Sequence, residues 1–351
     1  MKSAKSTALL VLIALFGISI TKEVLHPVRQ ELVEEIKLKA TTWQPREIHH
    51  NRLRDVRPEQ IQKKLGNLGT YQHSFIDSIM KWIPFGKSMK GKFSNPLLEQ
   101  ANSHSFRLQS SQDHLLKDSI PLEFDFRTKW PQCLRKIRDQ ANCGACWAFT
   151  GSGMLADRIC ILTNGTINEE LSPQDMVDCS HDNFGCEGGY LMNALDYLMN
   201  EGVTKESCTP YKDKTNKCQY TCQNKTEEFH KHYCKPGTLR VLTNEEQIKR
   251  DLMQNGPLMV GLTVYEDFIN YATGDYKFVA GEIVGGHAVK LMGWRTTQKG
   301  QTSWLIQNQW NDDWGEQGFG YILENEVGID SIGVGCTPDI DLEYINDLLD
   351  D

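Results

Sequence analysis

The chain lacks a hydrophobic run long enough to cross a membrane. Its most apolar segment, ALLVLIALFGISI, spans residues 8–20 and follows Lys2 and Lys5. A bilayer-spanning helix needs about 20 apolar residues, so this shorter run behind a positive start predicts a cleaved signal peptide over residues 1–20. A buried N-terminal helix is the alternative. We expect a mature protein without a membrane segment that reaches a lysosome or vacuole, or is secreted.

An excess of positive charge is also missing. The sequence has 38 Lys and Arg against 46 Asp and Glu, a formal net charge of -8. Binding of nucleic acid phosphates requires clustered Lys and Arg, so we expect no nucleic acid partner. We find no internal repeat and no low-complexity tract. The hydrophobic content of 39% is enough for the cores of one or two ordinary domains.

Cysteine is absent before Cys133, and all eleven cysteines follow it. The preceding region, residues 21–118, is polar and poor in glycine, and we interpret it as a pro-segment. Apolar residues at Leu32, Val33, Ile36 and Leu38 predict an amphipathic helix over 31–39. A second helix is expected to begin near Pro58 and to end near Gly66. Towards residue 118 we expect irregular structure.

The eleven cysteines fit the oxidising secretory route, where disulfides persist. An odd count leaves at least one thiol without an intramolecular partner, and such a thiol needs a functional explanation. The sequons at Asn164 and Asn224 agree with this route. The spacing of Cys218 and Cys222 would also suit a zinc site. Secretion argues against it, and we expect no metal or other cofactor.

The cysteine-rich part, residues 119–351, changes character along its length. Buried helices are predicted over 146–162 and 192–199. After Cys234, short apolar runs separated by glycine-rich turns predict strands at residues 258–264, 287–292 and 303–306. The fold class is therefore α+β, with a helical half over about 119–233 and a strand-rich half over about 234–340.

Three segments carry residues suited to thiol chemistry: QANCGACW at 140–147, GGHA at 285–288 and WLIQNQW at 304–310. A thiol is a nucleophile only as thiolate, and Cys146 begins a predicted helix whose dipole favours that anion. His287 is the candidate imidazolium partner and general acid. Asn308 would orient the imidazole, and Gln140 with the Cys146 N–H would stabilise an oxyanion.

These segments resemble the active-site motifs of papain-like cysteine proteases. WPQCLRKIRDQANCGACWAF, LSPQDMVDC, NGPLMVGLTVYEDF and GGHAVKLMGW are most similar to cathepsin B, and the resemblance covers about 120–340. It implies a helical left domain and a β-barrel-like right domain with catalysis in the cleft between them. It also implies a zymogen inhibited by its own pro-segment, a monomer, peptide and protein substrates, and inhibitors of the cystatin type.

The same resemblance implies residue roles. The backbone of Gly188 and Gly189 would bind an extended substrate, since glycine permits close approach. Trp310 would shield the His–Asn bond and contact the primed side, whereas we interpret Trp304 as core packing. Cys146, Cys234 and Cys336 are left without assigned partners, and the last two either pair with each other or stay free. The implied disulfides are Cys133–Cys160, Cys143–Cys186, Cys179–Cys218 and Cys208–Cys222.

One departure from cathepsin B concerns the occluding loop, whose two histidines bind a substrate carboxylate. Only Thr209–Lys217 separate Cys208 from Cys218 here, without a histidine. His230 and His232 lie later in the chain and are interpreted as surface residues. We therefore expect an endopeptidase with an open primed side, without removal of C-terminal dipeptides.

Two further departures lie in the cleft. Gln309 stands where the family has serine. Ile332 aligns with the glutamate that accepts arginine at P2, so we expect a hydrophobic P2 preference; Asp330 lies close by. In the pro-segment, Trp43 and the LGNLG stretch resemble that of cathepsin B. His49 and His50 allow a pH-sensing role, but solvated surface histidines are the interpretation we favour.

Two other classes of protein would explain part of the sequence. A non-catalytic homologue that binds peptides or inhibits proteases would be expected to lose the Cys or His, yet Gln140, Cys146, His287 and Asn308 are all present. A structural disulfide-rich module does not explain why these four residues occur together. An active thiol protease is the function that the sequence favours.

Overall fold

A computed structural model describes residues 25–68 and 120–340. The predicted signal peptide over residues 1–20 and the stretch from 69 to 119 therefore lie outside the described residues. The helices are α1 Gln30–Lys39, α2 Pro58–Lys63, α3 Phe126–Lys129, α4 Cys146–Leu162, α5 Pro173–Cys179, α6 Leu191–Asn200, α7 Glu245–Asn255 and α8 Glu266–Ile269. The strands are β1 Trp43–Pro45, β2 Glu123–Asp125, β3 Val203–Thr204, β4 Lys231–Cys234, β5 Arg240–Leu242, β6 Leu258–Tyr265, β7 Tyr271–Tyr276, β8 Ile283–Thr296, β9 Thr302–Gln307, β10 Phe319–Leu323, β11 Gly333–Gly335 and β12 Pro338–Asp339.

Helix α4 is buried on nearly every side and organises the first core. Even its charged residues are buried, and each has a partner. Asp157 accepts a 3.1 Å hydrogen bond from Arg135 and pairs with Lys290 of β8, while Arg158 pairs with Asp251 of α7. A buried charge is tolerated only when paired. These ion pairs therefore fix α4, and the cysteine at its start, against the strands.

The main sheet runs in the order β1-β7-β10-β9-β8-β6-β11-β5, and β2 also pairs with β8. The long strand β8 lies between β6 and β9 and is buried through most of its length. A small second sheet has the order β12-β4-β3. Strand β1 belongs to the region interpreted as pro-segment, so that region adds an edge strand to the sheet.

The second core includes side chains from the pro-segment. Leu32, Ile36 and Trp43 are buried with the aromatic residues that follow β6, such as Phe268 and Tyr276. The Trp43 ring packs against Tyr276 at a tilt of 52° with centroids 5.2 Å apart, and its indole N–H donates to the Lys277 carbonyl at 2.8 Å. The pro-segment is therefore packed as part of the protein interior.

Five disulfides connect ten of the eleven cysteines. Four have the pairings that the resemblance implied, and the fifth joins Cys234 to Cys336. Cys146 is the one free cysteine, and it is buried.

Two sequence interpretations are wrong in detail. His232 is buried rather than on the surface, with 8% exposure, because strand β4 alternates and turns His232 and Cys234 inward; His230 is exposed. Leu38 is 87% exposed and lies off the buried face of α1. No helix in the two described stretches is long and apolar enough to cross a bilayer.

Candidate active site

The thiol of Cys146 lies at the start of α4, directly after a tight turn. Ala141 has a φ of 51°, and Gly144 donates its N–H to the Cys186 carbonyl at 2.8 Å. A Cβ at Gly144 would lie 2.6 Å from that carbonyl oxygen, so only glycine fits. The turn therefore delivers Cys146 to the cleft at a helix N-terminus, where an anion is favoured.

His287 and Asn308 meet because their strands are neighbours. His287 lies in the middle of β8, and Asn308 directly follows β9. Their Nε2 and Oδ1 atoms are 2.9 Å apart, and the Trp310 ring stacks on the imidazole with centroids 4.6 Å apart. The backbone N–H of Gln309 also donates to Asn308 Oδ1 at 2.9 Å. Because Oδ1 is thus fixed as an acceptor, His287 Nε2 donates and Nδ1 remains for the thiol.

Gln309, the departure from the family motif, is buried and bonded in three directions. Its side-chain amide donates to the Ala288 carbonyl at 2.6 Å, and its own carbonyl accepts the Gln140 N–H at 3.0 Å. Together with the bond to Asn308, these contacts connect the segments that carry Gln140, His287 and Asn308.

The pro-segment crosses the site in close contact with it. Gly66 accepts a 2.7 Å hydrogen bond from the Gly189 N–H, and Leu68 donates its N–H to the Gly189 carbonyl at 3.1 Å. Asn67 donates its N–H to the Gly286 carbonyl and its side-chain amide to the His287 carbonyl. The bridge between Asn67 and Gly189 is parallel. A Cβ on Gly66 would lie 1.8 Å from the Gly144 carbonyl oxygen, so this crossing requires glycine.

The amide of Gln140 is occupied by the pro-segment as well. Its Nε2 donates to the Lys64 carbonyl at 2.9 Å and to the Cys143 carbonyl at 2.8 Å. The donor expected to stabilise an oxyanion therefore holds a pro-segment carbonyl in this state.

Burial favours the neutral form of both reactive groups while the pro-segment is in place. Burial raises the pKa of Cys146 to about 11, although hydrogen bonds from the Ala288 and Gly66 N–H groups act in the opposite direction. Burial also lowers the pKa of His287 to about 4, against the effect of its bond to Asn308. A thiolate–imidazolium pair is disfavoured while the site is covered.

The short loop between Cys208 and Cys218 packs against the Gln140 turn. Tyr211 donates its hydroxyl to the Gln140 carbonyl at 2.8 Å, and Asp213 accepts the Asn142 N–H at 2.9 Å. The sequence indicates only that this loop is shorter than in cathepsin B. Its tyrosine supports the turn that carries Gln140.

Ile332 is buried and belongs to the core cluster that contains Cys146 and Ala288. Neighbouring Asp330 accepts hydrogen bonds from the Trp304 indole at 3.2 Å and from the Asn325 N–H at 2.9 Å. The Asp330 carboxylate is therefore bonded to residues of the strand-rich half. Trp304 is fully buried.

Comparison with known proteins agrees with this geometry. Residues 120–336 match the model of the papain family of cysteine proteases. A cathepsin B-like cysteine proteinase of Schistosoma japonicum is 40% identical over 253 residues, which are 63% of this chain and 73% of the relative. A gut-specific cysteine proteinase of Caenorhabditis elegans is 36% identical over 271 residues, covering 70% and 80%.

Solved proforms share the architecture. Procathepsin B S9 from Trypanosoma congolense superimposes with a TM-score of 0.71 at 26% identity, covering 90% of this chain and all of that one. The proform of the ragweed pollen cysteine protease Amb a 11 gives a TM-score of 0.63 at 18% identity, a likeness of fold.

The chain belongs to the papain family of cysteine proteases. Within that family it is cathepsin B-like, a cysteine peptidase made as a zymogen whose pro-segment inhibits it.

Proposed function

We propose that Cys146, His287, Asn308 and Gln140 carry out peptide hydrolysis once the pro-segment leaves. The observation that carries this is the His287–Asn308 bond near a free, buried thiol where residues 64–68 of the pro-segment cross the site. The thiolate attacks the scissile carbonyl carbon, and Gln140, released from Lys64, stabilises the oxyanion. His287 gives its proton to the leaving amine. Water then attacks the thioester, with His287 accepting its proton, and the carboxylic acid is released.

We infer the direction of the substrate from the same residues. Gly188 and Gly189 bind the substrate backbone on the N-terminal side of the scissile bond. Trp310 lies on its C-terminal side. The pro-segment reaches Gly189 with its later residues, Asn67 and Leu68. It therefore lies in the cleft in the reverse direction, so its peptide bonds are not presented as those of a substrate.

The specificity proposed is that of an endopeptidase with a hydrophobic P2 residue. The nine residues between Cys208 and Cys218 contain no histidine to hold a substrate carboxylate. Ile332 offers an apolar surface that cannot pair with a guanidinium. Phe-Arg and Arg-Arg reporter peptides test the P2 preference, and equal rates would contradict it. Stepwise loss of two C-terminal residues from a peptide would contradict the endopeptidase assignment.

We further propose that residues 1–20 are a signal peptide, 21–118 the pro-segment and 119–351 the mature enzyme. Incubation of the purified precursor at about pH 4 to 5, with sequencing of the new N-terminus, tests the second boundary. The Cys146→Ala precursor is the control and should remain uncut on its own. A new N-terminus far from residue 119 would overturn the boundary.

We also propose glycosylation at Asn164 and Asn224. Asn164 and Asn224 are both exposed, and Asn224 Oδ1 accepts bonds from Thr226, so both are available for glycosylation. The enzyme is proposed to be a monomer, inhibited by cystatin-type proteins and located in a lysosome or vacuole or secreted. Labelling of Cys146 by an epoxide thiol inhibitor after acid activation tests the function directly, because a non-catalytic homologue would not be labelled.

A further inference from the structure

A second anchor of the pro-segment lies beside the catalytic residues, and it is made from two carboxylates of the protease domain. The Arg52 guanidinium pairs through Nη2 with Asp139 and donates to the Trp310 carbonyl at 3.2 Å. Its Nε lies 3.3 Å from Asp313 Oδ1. Two carboxylates and one carbonyl thus surround the guanidinium: Nη2 hydrogen-bonds both Asp139 and the Trp310 carbonyl, and the contact with Asp313 is an ion pair without a hydrogen bond.

The protease domain itself holds these acceptors in place. Asp139 and Trp310 are joined by an antiparallel backbone bridge, and Asp313 follows Trp310 by three residues. Asp139 Oδ1 also accepts the Ala141 N–H at 2.9 Å. Asp139 and the Trp310 carbonyl are thus placed by the same pairing of segments that sets Gln140 beside Gln309, and their placement does not depend on Arg52.

Among residues 25–68 and 120–340, every cation that pairs with these carboxylates comes from the pro-segment. Lys64 Nζ lies 3.5 Å from Asp139, in addition to the Arg52 contacts. Within residues 120–340, no Lys, Arg or His lies within ion-pairing distance of Asp139 or Asp313. Although burial acts to raise it, the Lys64 and Arg52 charges and the Ala141 N–H hold the pKa of Asp139 below its ordinary value. Maturation therefore leaves two carboxylates without a counter-charge.

The position of the site relative to the thiol follows from the path of the pro-segment. Arg52 lies against Trp310, Gly66 crosses at Gly144, and Leu68 reaches Gly189. The site is thus separated from Gly189 by the reactive thiol and lies on the Trp310 side.

We propose that Asp139, Asp313 and the Trp310 carbonyl form a subsite that binds an Arg or Lys side chain on the C-terminal side of the scissile bond. This inference rests on the proposed function and names a second determinant of its specificity. Arg is preferred to Lys, because its fork reaches both carboxylates.

The test uses the activated enzyme and internally quenched peptides with a hydrophobic P2 residue. Arg is compared with citrulline, its neutral isostere, at P1′, P2′ and P3′ in turn. We expect kcat/KM to be roughly three- to tenfold higher for Arg at one of these positions, with a smaller ratio at high salt. The Asp313→Asn variant should bring this ratio close to one.

The matched control is Asp312→Asn, which removes an exposed neighbouring carboxylate and should leave the ratio unchanged. Equal rates for Arg and citrulline at all three positions would overturn the subsite, as would an unchanged ratio in Asp313→Asn. If no peptide is cleaved, the proposed function has failed instead. The subsite is then judged by binding of the same peptides to the Cys146→Ala enzyme, where equal affinities for Arg and citrulline overturn it.

Discussion

At the scale of single residues, Gln309 is a positioning residue, because each of its bonds fixes another member of the site. Its side chain holds the Ala288 carbonyl next to His287, and its N–H holds the oxygen of Asn308. Serine, the family residue, is too short to make the first bond in the same way. The longer side chain therefore gives this enzyme an additional connection between the histidine strand and the asparagine.

The Gln309→Ala change should lower kcat/KM of the activated enzyme about three- to tenfold, since a lost buried hydrogen bond is worth about 1 kcal/mol. The loss should appear mainly in kcat and should be accompanied by a shifted acid limb of the pH–rate profile, because the orientation of His287 is affected. A pH series with a Phe-Arg reporter measures both. The exposed Gln301→Ala variant is the control, and an unchanged profile in Gln309→Ala would contradict the positioning role.

The Gly66→Ala precursor should be poorly inhibited, because a methyl group cannot fit 1.8 Å from the Gly144 carbonyl oxygen. We expect activity before processing, and faster processing at acid pH, both read with a small fluorogenic peptide. Gln62→Ala, an exposed change in the same segment, should behave like the wild-type precursor. If the Gly66→Ala precursor has no activity before processing, the crossing at Gly144 is not what blocks the cleft.

At the scale of elements, the pro-segment behaves as a removable part of the sheet. Strand β1 pairs with β7 at the sheet edge, and Trp43 fills an aromatic pocket formed by Tyr271 and Tyr276. Arg29 adds a two-pronged ion pair to Glu266 in α8. Removal of the pro-segment therefore uncovers both a strand edge and an apolar face.

The Trp43→Ala change should destabilise docking of the pro-segment by about 3 to 5 kcal/mol, the usual range for truncation of a buried tryptophan. We expect a lower thermal midpoint of the Cys146→Ala precursor and faster cleavage by added mature enzyme. Gln44→Ala, the outward-facing neighbour in β1, is the matched control. Equal midpoints for the two variants would contradict the packing role of Trp43.

The sequence predicts those helices and strands that carry a clear pattern of apolar residues. Helix α4 begins and ends where its apolar residues indicate, and the runs at 258–264 and 303–306 lie in β6 and β9. Strand β1 could not be predicted, since three residues become a strand only through their pairing with β7. The assignment of His232 to the surface failed for a related reason, because its burial is decided by pairing of β4 with β3 and β12.

The site divides in the same way. Cys146, His287 and Asn308 belong to recognisable motifs, so they can be predicted from the sequence. Asp139, Lys64 and Gly66 acquire their roles only where distant segments meet, and no local pattern marks them. Of these, only Gly66 in LGNLG is hinted at by the sequence, since a glycine at the end of a helix also permits another backbone to approach closely.

At the scale of the whole molecule, the covered site predicts a chemical difference between precursor and enzyme. With its pKa raised to about 11, Cys146 of the precursor is a thiol at neutral pH and is buried. Alkylation by iodoacetamide at pH 7, followed by mass spectrometry, should be slow in the precursor and fast after acid processing. The disulfide-bonded cysteines do not react, so the label reports Cys146 alone. Equal rates before and after processing would contradict the covered state.

The buried carboxyl of Asp267 should also make the stability of the precursor depend on pH. Burial raises the pKa of Asp267 to about 6, against hydrogen bonds from Tyr276, Val279 and Ala280. Because the folded pKa lies above the unfolded value near 3.9, the folded state favours the protonated form and this group lowers stability as pH rises through about 6.

Replacement of Asp267 by asparagine removes the loss of stability that comes from ionising a buried carboxylate. In a Cys146→Ala background, the change in thermal midpoint caused by Asp267→Asn should be more favourable at pH 7 than at pH 5. Asp312→Asn, at an exposed position, should show no such difference. An equal effect of Asp267→Asn at both pH values would contradict the raised pKa.

The reversed path of the pro-segment has a consequence for how activity begins. On the proposed direction of the substrate, a chain that lies backwards over the thiol is not cleaved where it binds, so a cut elsewhere would leave residues 25–68 intact as an inhibitor. Before the cut, the inhibitor is tethered and its effective concentration is high. After the cut, binding becomes bimolecular, and the onset of activity depends on dilution and on degradation of the released segment. In a crowded compartment the cleaved pro-segment would stay bound and the onset of activity would be delayed. Dilution into a large volume would let it dissociate and free the active site.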